Sequence, residues 1–310
     1  MELLREYING NYTIKIYDDG TKERIYDTDP SPEFPESMDV KITNYCNANC
    51  NFCHEQSTTE GKHGDLDFAI ELFSALPAGT ELAIGGGDPT SHPNVEYMLS
   101  ELKNIGVISN ITVNSLHIRK NFAQLREWIQ NKYIHGLGIS YTPAMMDQCV
   151  AIAKESSNVV FHMIMGVNTV NDLTQLIEKV ENPKVLMLGY KQYGRGESYY
   201  NEKVENTKYE WYVRLHEFFN KKNLTLSFDN LGIKQANLKR FFSDYKWKEF
   251  YMGDDGKFTM YFDMVKQQYA MSSTSKERFD IGNKTVKQMF SEIRKWHLLV
   301  DSRDTTTRNI

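Results

Sequence analysis

The chain has 310 residues, 40% of them hydrophobic and 25% charged, with a formal net charge of −5. That is enough chain to bury a large core without disulfide staples, as one domain or one domain with an appendage. The acidic balance excludes a nucleic-acid-coating cation, though it leaves room for a local basic patch. No apolar run is long enough for a membrane span. Met1 to Gly10 is charged and polar, without a signal-peptide core, so the expected address is the cytoplasm.

In chain order, Thr13–Tyr17 and Glu23–Tyr26 flank Asp18-Asp19-Gly20-Thr21, a hairpin signal. Asp29 to Pro35 reads as an extended proline-rich connector, so residues 1–35 form an N-terminal hairpin and linker. From Met38, strands are predicted at Met38–Thr43, Glu81–Gly85, Ile108–Asn114, Gly136–Tyr141, Val159–Met165 and Val185–Leu188. Helical spacing relates Phe68, Leu72 and Leu76, then Leu125, Trp128 and Ile129, then Leu173, Leu176, Ile177 and Val180. Six β-then-α units specify an α/β fold with a parallel sheet under helices. They are too few for a full eight-fold barrel, and a doubly wound open sheet is the alternative to a partial (β/α)6 barrel. This pattern occupies residues 36–223.

Residues 224–310 read as a small α+β extension capping the mouth of the barrel. Thr225–Asp229 is a candidate seventh strand, and Asp254–Lys257 a turn leading into a strand at Phe258–Phe262. Val286, Met289, Phe290, Ile293 and Trp296 mark a last amphipathic helix, followed by a polar tail, Asp301–Ile310, expected to fray. Between Lys234 and Lys248, five basic residues are interleaved with Phe241, Phe242, Tyr245 and Trp247. Such a stretch suits an amphipathic helix with inward aromatics, or nucleic-acid binding by charge and stacking.

The four cysteines are Cys46, Cys50, Cys53 and Cys149. The first three make a C-x3-C-x2-C loop directly after the first predicted strand, a spacing suited to metal ligation in a reducing compartment. Structural zinc takes four protein ligands, and His54 or His63 could complete such a set. An iron–sulfur cube prefers four thiolates, so three leave one iron open to a cofactor or substrate. Cys149 lies in a predicted helix and reads as a small packed hydrophobe.

With Phe52 directly before Cys53, this loop resembles the signature of the radical S-adenosylmethionine (SAM) superfamily. The resemblance implies a [4Fe–4S] cluster on Cys46, Cys50 and Cys53, whose open iron chelates SAM, with Phe52 near the cofactor. Gly85-Gly86-Gly87-Asp88-Pro89-Thr90 is similar to the family's Gly-Gly-Glu segment. That likeness implies contact of Gly86, Gly87 and Asp88 with the methionyl ammonium, Asp88 standing one methylene short of the usual glutamate. Asn114 and Ser140, at the ends of the third and fourth strands, resemble polar contacts to the SAM ribose and carboxylate. The segment Phe161–Val167, with Met165, resembles the backbone that lies against the adenine. Gly189–Gly196 is similar to the Gly-Arg-Gly loop, whose Lys191 and Arg195 would meet an acidic group of cofactor or substrate.

The resemblance covers residues 38–196. It implies an oxidoreductase-type enzyme that cleaves SAM to methionine and a 5′-deoxyadenosyl radical and takes hydrogen from a peptide, protein or nucleotide. An electron donor such as flavodoxin or ferredoxin is implied as partner. Gly253–Phe258 looks like the β-hairpin of a SPASM or twitch extension, but no cysteine lies beyond Cys149 to ligate an auxiliary cluster. Two other readings stay open: a zinc-stabilised module binding nucleic acid or protein, and a catalytically inactive radical SAM scaffold.

Overall fold

A computed structural model describes residues 2–307. Leu3–Asn9 (β1), Tyr12–Tyr17 (β2) and Lys22–Ile25 (β3) form an antiparallel sheet in that order. The expected hairpin is β2–β3. The additional strand, β1, lacks a clean inside–outside alternation and leaves Ile8 exposed, which is why its sequence gives little strand signal.

The main sheet has ten strands. Seven of them run parallel in chain order: Ser37–Thr43 (β4), Glu81–Gly86 (β5), Ile108–Asn114 (β6), Gly136–Ser140 (β7), Val159–Ile164 (β8), Lys184–Leu188 (β9) and Thr225–Phe228 (β10). Thr259–Asp263 (β11) then returns to the opposite edge and pairs parallel with β4. Gln268–Ala270 (β12) and Phe279–Asp280 (β13) add antiparallel strands outside it. The sheet curls as a partial barrel that is not closed, because β10 and β11 do not pair. The C-terminal third thus extends the six-strand sheet at both edges.

Helices Leu66–Phe73 (α1), Val95–Asn104 (α2), Ser115–Gln130 (α3), Met146–Ala153 (α4) and Val170–Lys179 (α5) follow β4 to β8 in turn. After β9 come Arg195–Tyr199 (α6) and Glu202–Arg214 (α7), and later Asn230–Ala236 (α8), Asp244–Phe250 (α9) and Val286–Thr307 (α10). The tail expected to fray therefore begins inside α10, and its last three residues, 308–310, lie outside the described residues. No helix among the described residues is long and apolar enough to cross a membrane.

Strand alternation decides which side chains reach the barrel interior. In β4, Met38, Val40 and Ile42 are at most 1% exposed under the helices, while Asp39 and Lys41 between them face inward. The N-terminal sheet plugs the barrel's bottom, where Tyr12, Ile14 and Ile16 pack on Ile108 and Phe258 at the starts of β6 and β11. The C-terminal ends of the strands stay open.

Two details of the C-terminal third differ from expectation. Asp254–Lys257 is a turn, but it joins α9 to β11. The hairpin lies one step later, between β11 and β12, because Asp263 Oδ1 accepts the N–H groups of Val265 and Lys266 at 3.1 and 3.0 Å and folds the chain back there. The basic aromatic stretch is three short pieces rather than one helix. Asn237 adopts the left-handed φ of 48° between the first two, and Ser243 caps α9. Phe241, Phe242 and Trp247 pack against the core, whereas Tyr245 and Phe250 are exposed.

Candidate active site

The cysteine loop, residues 44–64, crosses the open end of the barrel. Its base is pinned by Cys46 N–H to Thr58 O at 2.9 Å and Asn44 N–H to Lys62 O at 2.8 Å. Asn49, one residue before Cys50, has φ 49°, a left-handed turn that Asn tolerates better than most residues. Arg195 ties down the far side. Its Nε donates to Cys50 O at 2.9 Å, both Nη groups to Ser57 O at 3.1 Å, and its backbone N–H to Cys53 O at 3.1 Å. The guanidinium at this position is thus engaged by loop carbonyls. Phe52 packs edge-on against Tyr199, ring centroids 6.0 Å apart.

Gly86 and Gly87 are required by the loop itself. Gly86 has φ 116°, and a Cβ there would stand 2.4 Å from Thr43 O; a Cβ on Gly87 would stand 2.1 Å from Tyr45 O. The N–H groups of Gly87 and Asp88 donate to those same two carbonyls at 2.7 Å. The glycines therefore let the end of β5 lie against the cysteine loop. Gly85 is the open one: a Cβ there would meet nothing beyond its chain neighbours within 4 Å.

Asp88 is 6% exposed. Its Oδ1 accepts from Thr90 Oγ1 at 2.5 Å and Thr90 N–H at 3.2 Å, and its Oδ2 stands 3.3 Å from His117 Nδ1. Burial opposes ionisation, but His117 and Thr90 outweigh it, and the carboxyl lies below its ordinary range. His117 Nε2 in turn meets Asn47 Oδ1 at 2.8 Å. Without a hydrogen bond at Nδ1 among the described residues, His117 sits against Asp88 and makes one bond to the cysteine loop. That bond joins residues 70 apart in the chain, and nothing in the sequence around either one signals it.

Asn114 divides its amide. Oδ1 caps α3 at Leu116 N–H, 3.0 Å, and Nδ2 donates to Cys50 Sγ at 3.5 Å. Parallel register sets Asn114, Ser140 and His162 side by side across β6, β7 and β8. Met165 is elsewhere: its side chain is 1% exposed in the main core, and only its backbone, bonded to Leu188 O at 2.9 Å, borders the strand ends. Lys191 reaches His54 Nε2 at 3.3 Å and Ser273 Oγ at 2.9 Å.

All three loop thiols are free and half-buried. Burial pushes Cys46 up, while the Ala48 N–H, 3.5 Å from its sulfur, works the other way. Burial and the neighbouring Cys53 push Cys50 up against Asn114 and Arg195. Ionised neighbours thus discourage Cys46 and Cys50 from ionising, a situation a bound cation relieves. Among the described residues no three His, Cys, Asp or Glu side chains are grouped to hold a single metal ion. His63, a candidate fourth zinc ligand, instead bonds Thr43 Oγ1 at 2.9 Å and packs on His92. The donor set suits an iron–sulfur cluster: three thiols of one short loop, one for each of three irons, with N–H donors at two sulfurs. Beside the loop a cleft of about 450 Å³ is lined by Lys41, Asn44, His54, Glu55 and Lys266 among others.

Cys149 is fully buried and its thiol is pushed up to about 12 by burial, in keeping with a packed hydrophobe.

A family model described as the radical SAM superfamily matches residues 40–180. A probable GTP 3′,8-cyclase of Sulfolobus acidocaldarius is 23% identical over 155 residues, 48% of this chain and 43% of that protein. Among solved structures, SuiB of Streptococcus suis bound to S-adenosylmethionine superposes with a TM-score of 0.62 at 12% identity, covering 85% of this chain and 68% of that one. SuiB bound to the precursor peptide SuiA gives 0.60 at 14% identity, covering 84% and 65%. The chain therefore spans under half the length of the curated relative and about two thirds of the SuiB chain. The cysteine loop, the glycine motif, Asn114 and Ser140 all fall inside the family match, and the open parallel barrel is the fold of the solved structures: residues 40–180 match the radical SAM superfamily as a domain.

Proposed function

We propose that the protein is a radical SAM enzyme, with Cys46, Cys50 and Cys53 holding a [4Fe–4S] cluster at the open end of the barrel. The observation that carries this reading is the docking of the three-thiol loop on the Gly86–Gly87 strand end, with Asp88 linked to the loop through His117 and Asn47. When bound, cluster and SAM supply a one-electron cleavage to methionine and a 5′-deoxyadenosyl radical able to abstract hydrogen. The protein's part is positioning. Asp88, held ionised, receives the methionyl ammonium. Asn114 and Ser140 offer amide and hydroxyl contacts at the next strand ends, and the backbone at Met165 borders the adenine. Phe52 shields the loop from water, and Arg195 fixes the loop's shape.

A flavodoxin or ferredoxin supplies the electron, in keeping with a reducing cytoplasm. The substrate class is a peptide or protein on the likeness to the SuiB–SuiA complex, and a nucleotide on the likeness to the GTP cyclase. Iron and sulfide analysis of anaerobically purified protein, with electron paramagnetic resonance of the reduced state, tests the reading. A cubane signal that SAM perturbs is expected. Zinc in place of iron and sulfide would favour the zinc-stabilised module.

A further inference from the structure

Three basic side chains gather where the C-terminal segment meets the cysteine loop, and among the described residues only one is paired with a carboxylate. Lys41 is matched by Glu55 at 2.5 Å and Asp263 at 3.2 Å. Lys191 has neutral partners alone, Ser273 Oγ at 2.9 Å and His54 Nε2 at 3.3 Å. Arg278 gives Nη2 to Ser273 O at 2.7 Å and lies 4.6 Å from the centre of the Tyr261 ring. Its Nη1 is buried with no hydrogen-bond partner among the described residues. Asp39 and Asp229 feel the charge of Lys191, yet neither comes within ion-pairing distance of it.

A buried guanidinium nitrogen without an acceptor, beside a second cation without a counter-charge, is costly unless an anion arrives to satisfy both. The two groups are complementary for that task. Arg278 offers part of a planar fork and Lys191 a mobile point charge, and Ser273 fixes both, one by its hydroxyl and one by its carbonyl. His54 directly follows Cys53, so an anion held here lies beside the cysteine loop.

We infer that Lys191 and Arg278 form a clamp for an oxyanion of the substrate, a carboxylate or a phosphate. The inference deepens the proposed function by naming a chemical feature of its substrate, and it rests on that reading only for what happens after binding.

The test uses the full chain, anaerobically reconstituted, in titration calorimetry with two probes, inorganic pyrophosphate and N-acetylglutamate. SAM is titrated separately. Wild type is expected to bind at least one probe, and the tighter one identifies phosphate or carboxylate as the source. Arg278→Gln and Lys191→Gln are each expected to weaken that binding roughly tenfold or more, the scale of a lost charge-assisted hydrogen bond. Arg278→Lys should retain more affinity than Arg278→Gln, and Arg278→Gln should bind SAM as wild type does. If Arg278→Gln does not fold by circular dichroism, Lys191→Gln and Arg278→Lys carry the comparison.

The inference is overturned if wild type binds neither probe, or if the variants bind as wild type does. It is also overturned if SAM affinity falls in step with probe affinity, since the clamp would then serve the cofactor. No SAM cleavage is read, so failure here leaves the proposed chemistry standing, and a protein that binds anions without a cluster would fail the other way.

Discussion

At the plugged end of the barrel Glu36 is 1% exposed, and its carboxylate meets Arg24 at 2.7 Å, Lys22 at 3.7 Å and the Tyr12 hydroxyl at 2.6 Å. At the open end Lys191 and Arg278 have no such partner among the described residues, and Cys46 and Cys50 resist ionisation. One end has its buried charges matched within the chain. The other matches Lys41 with Glu55 and Asp263 but leaves Lys191, Arg278 and the thiols without complements among the described residues. The difference separates residues that hold the barrel together from residues arranged for something that binds, and the following substitutions probe that boundary.

The largest effect is expected where the two kinds of demand coincide. Gly87→Ala puts a carbon 2.1 Å from Tyr45 O, so the cysteine loop must lift from β5. A loss of about 4 kcal/mol in chemical denaturation is expected, together with reduced iron loading; near-normal values for both would show that the loop adapts. Glu36→Ala should cost about 3 kcal/mol, because Arg24 loses its buried carboxylate and the Tyr12 hydroxyl its acceptor, while Lys22 keeps Glu81 at 2.5 Å. Iron loading per folded molecule should not change. If loading fell as well, the ends would be coupled and the division above would be wrong.

His162 gives a pH test inside the lumen. Burial, with Lys191 adding, depresses its pKa from 6.5 to about 4. The unfolded chain therefore takes up a proton that the folded one refuses. Stability is full above pH 6.5 and falls as the pH drops towards 4. The loss across that window is on the order of 2 kcal/mol. His162→Gln should flatten this part of the stability–pH curve of the apo-protein, and parallel curves for variant and wild type would contradict the assignment. The smallest effect is expected at Cys149, 0% exposed. Cys149→Ala should cost about 1 kcal/mol from the small cavity, with iron content and SAM binding untouched, in contrast to any of the loop cysteines.

How much of this is visible in the sequence depends on the range of the interaction. The cysteine motif is eight residues long and the glycine motif directly ends a strand, so both can be read locally. The strands of the barrel show through their apolar runs. The contribution of the C-terminal third is harder to see. β11 finds its partner β4 more than two hundred residues earlier in the chain, and nothing in Thr259–Asp263 itself signals that it extends the parallel sheet. The turn at Asp263 escapes for a related reason: Asp254-Asp255-Gly256 carries the stronger turn composition, while the Asp263 turn depends on one side chain folding back on two N–H groups.

The site shows the same limit. Gly86 and Gly87 stand out as positions of close approach, but only the structure shows what approaches them, the carbonyls of Thr43 and Tyr45. The sulfur contact of Asn114 and the His117–Asn47 link join residues 64 and 70 apart. Ser273 and Arg278 lie in a stretch with no motif at all. They matter because Lys191, 82 residues before Ser273, reaches the Ser273 hydroxyl across the barrel mouth, and Arg278 bonds the Ser273 carbonyl.

The central claim is that Cys46, Cys50 and Cys53 together support reductive cleavage of SAM. Formation of 5′-deoxyadenosine by the anaerobically reconstituted protein under a strong reductant measures it directly, beside the variant with all three cysteines changed to alanine. The account predicts 5′-deoxyadenosine from wild type and none above background from the variant. Continued formation by the triple variant, or none from a wild type carrying a full cluster, would contradict it, the latter outcome identifying an inactive scaffold.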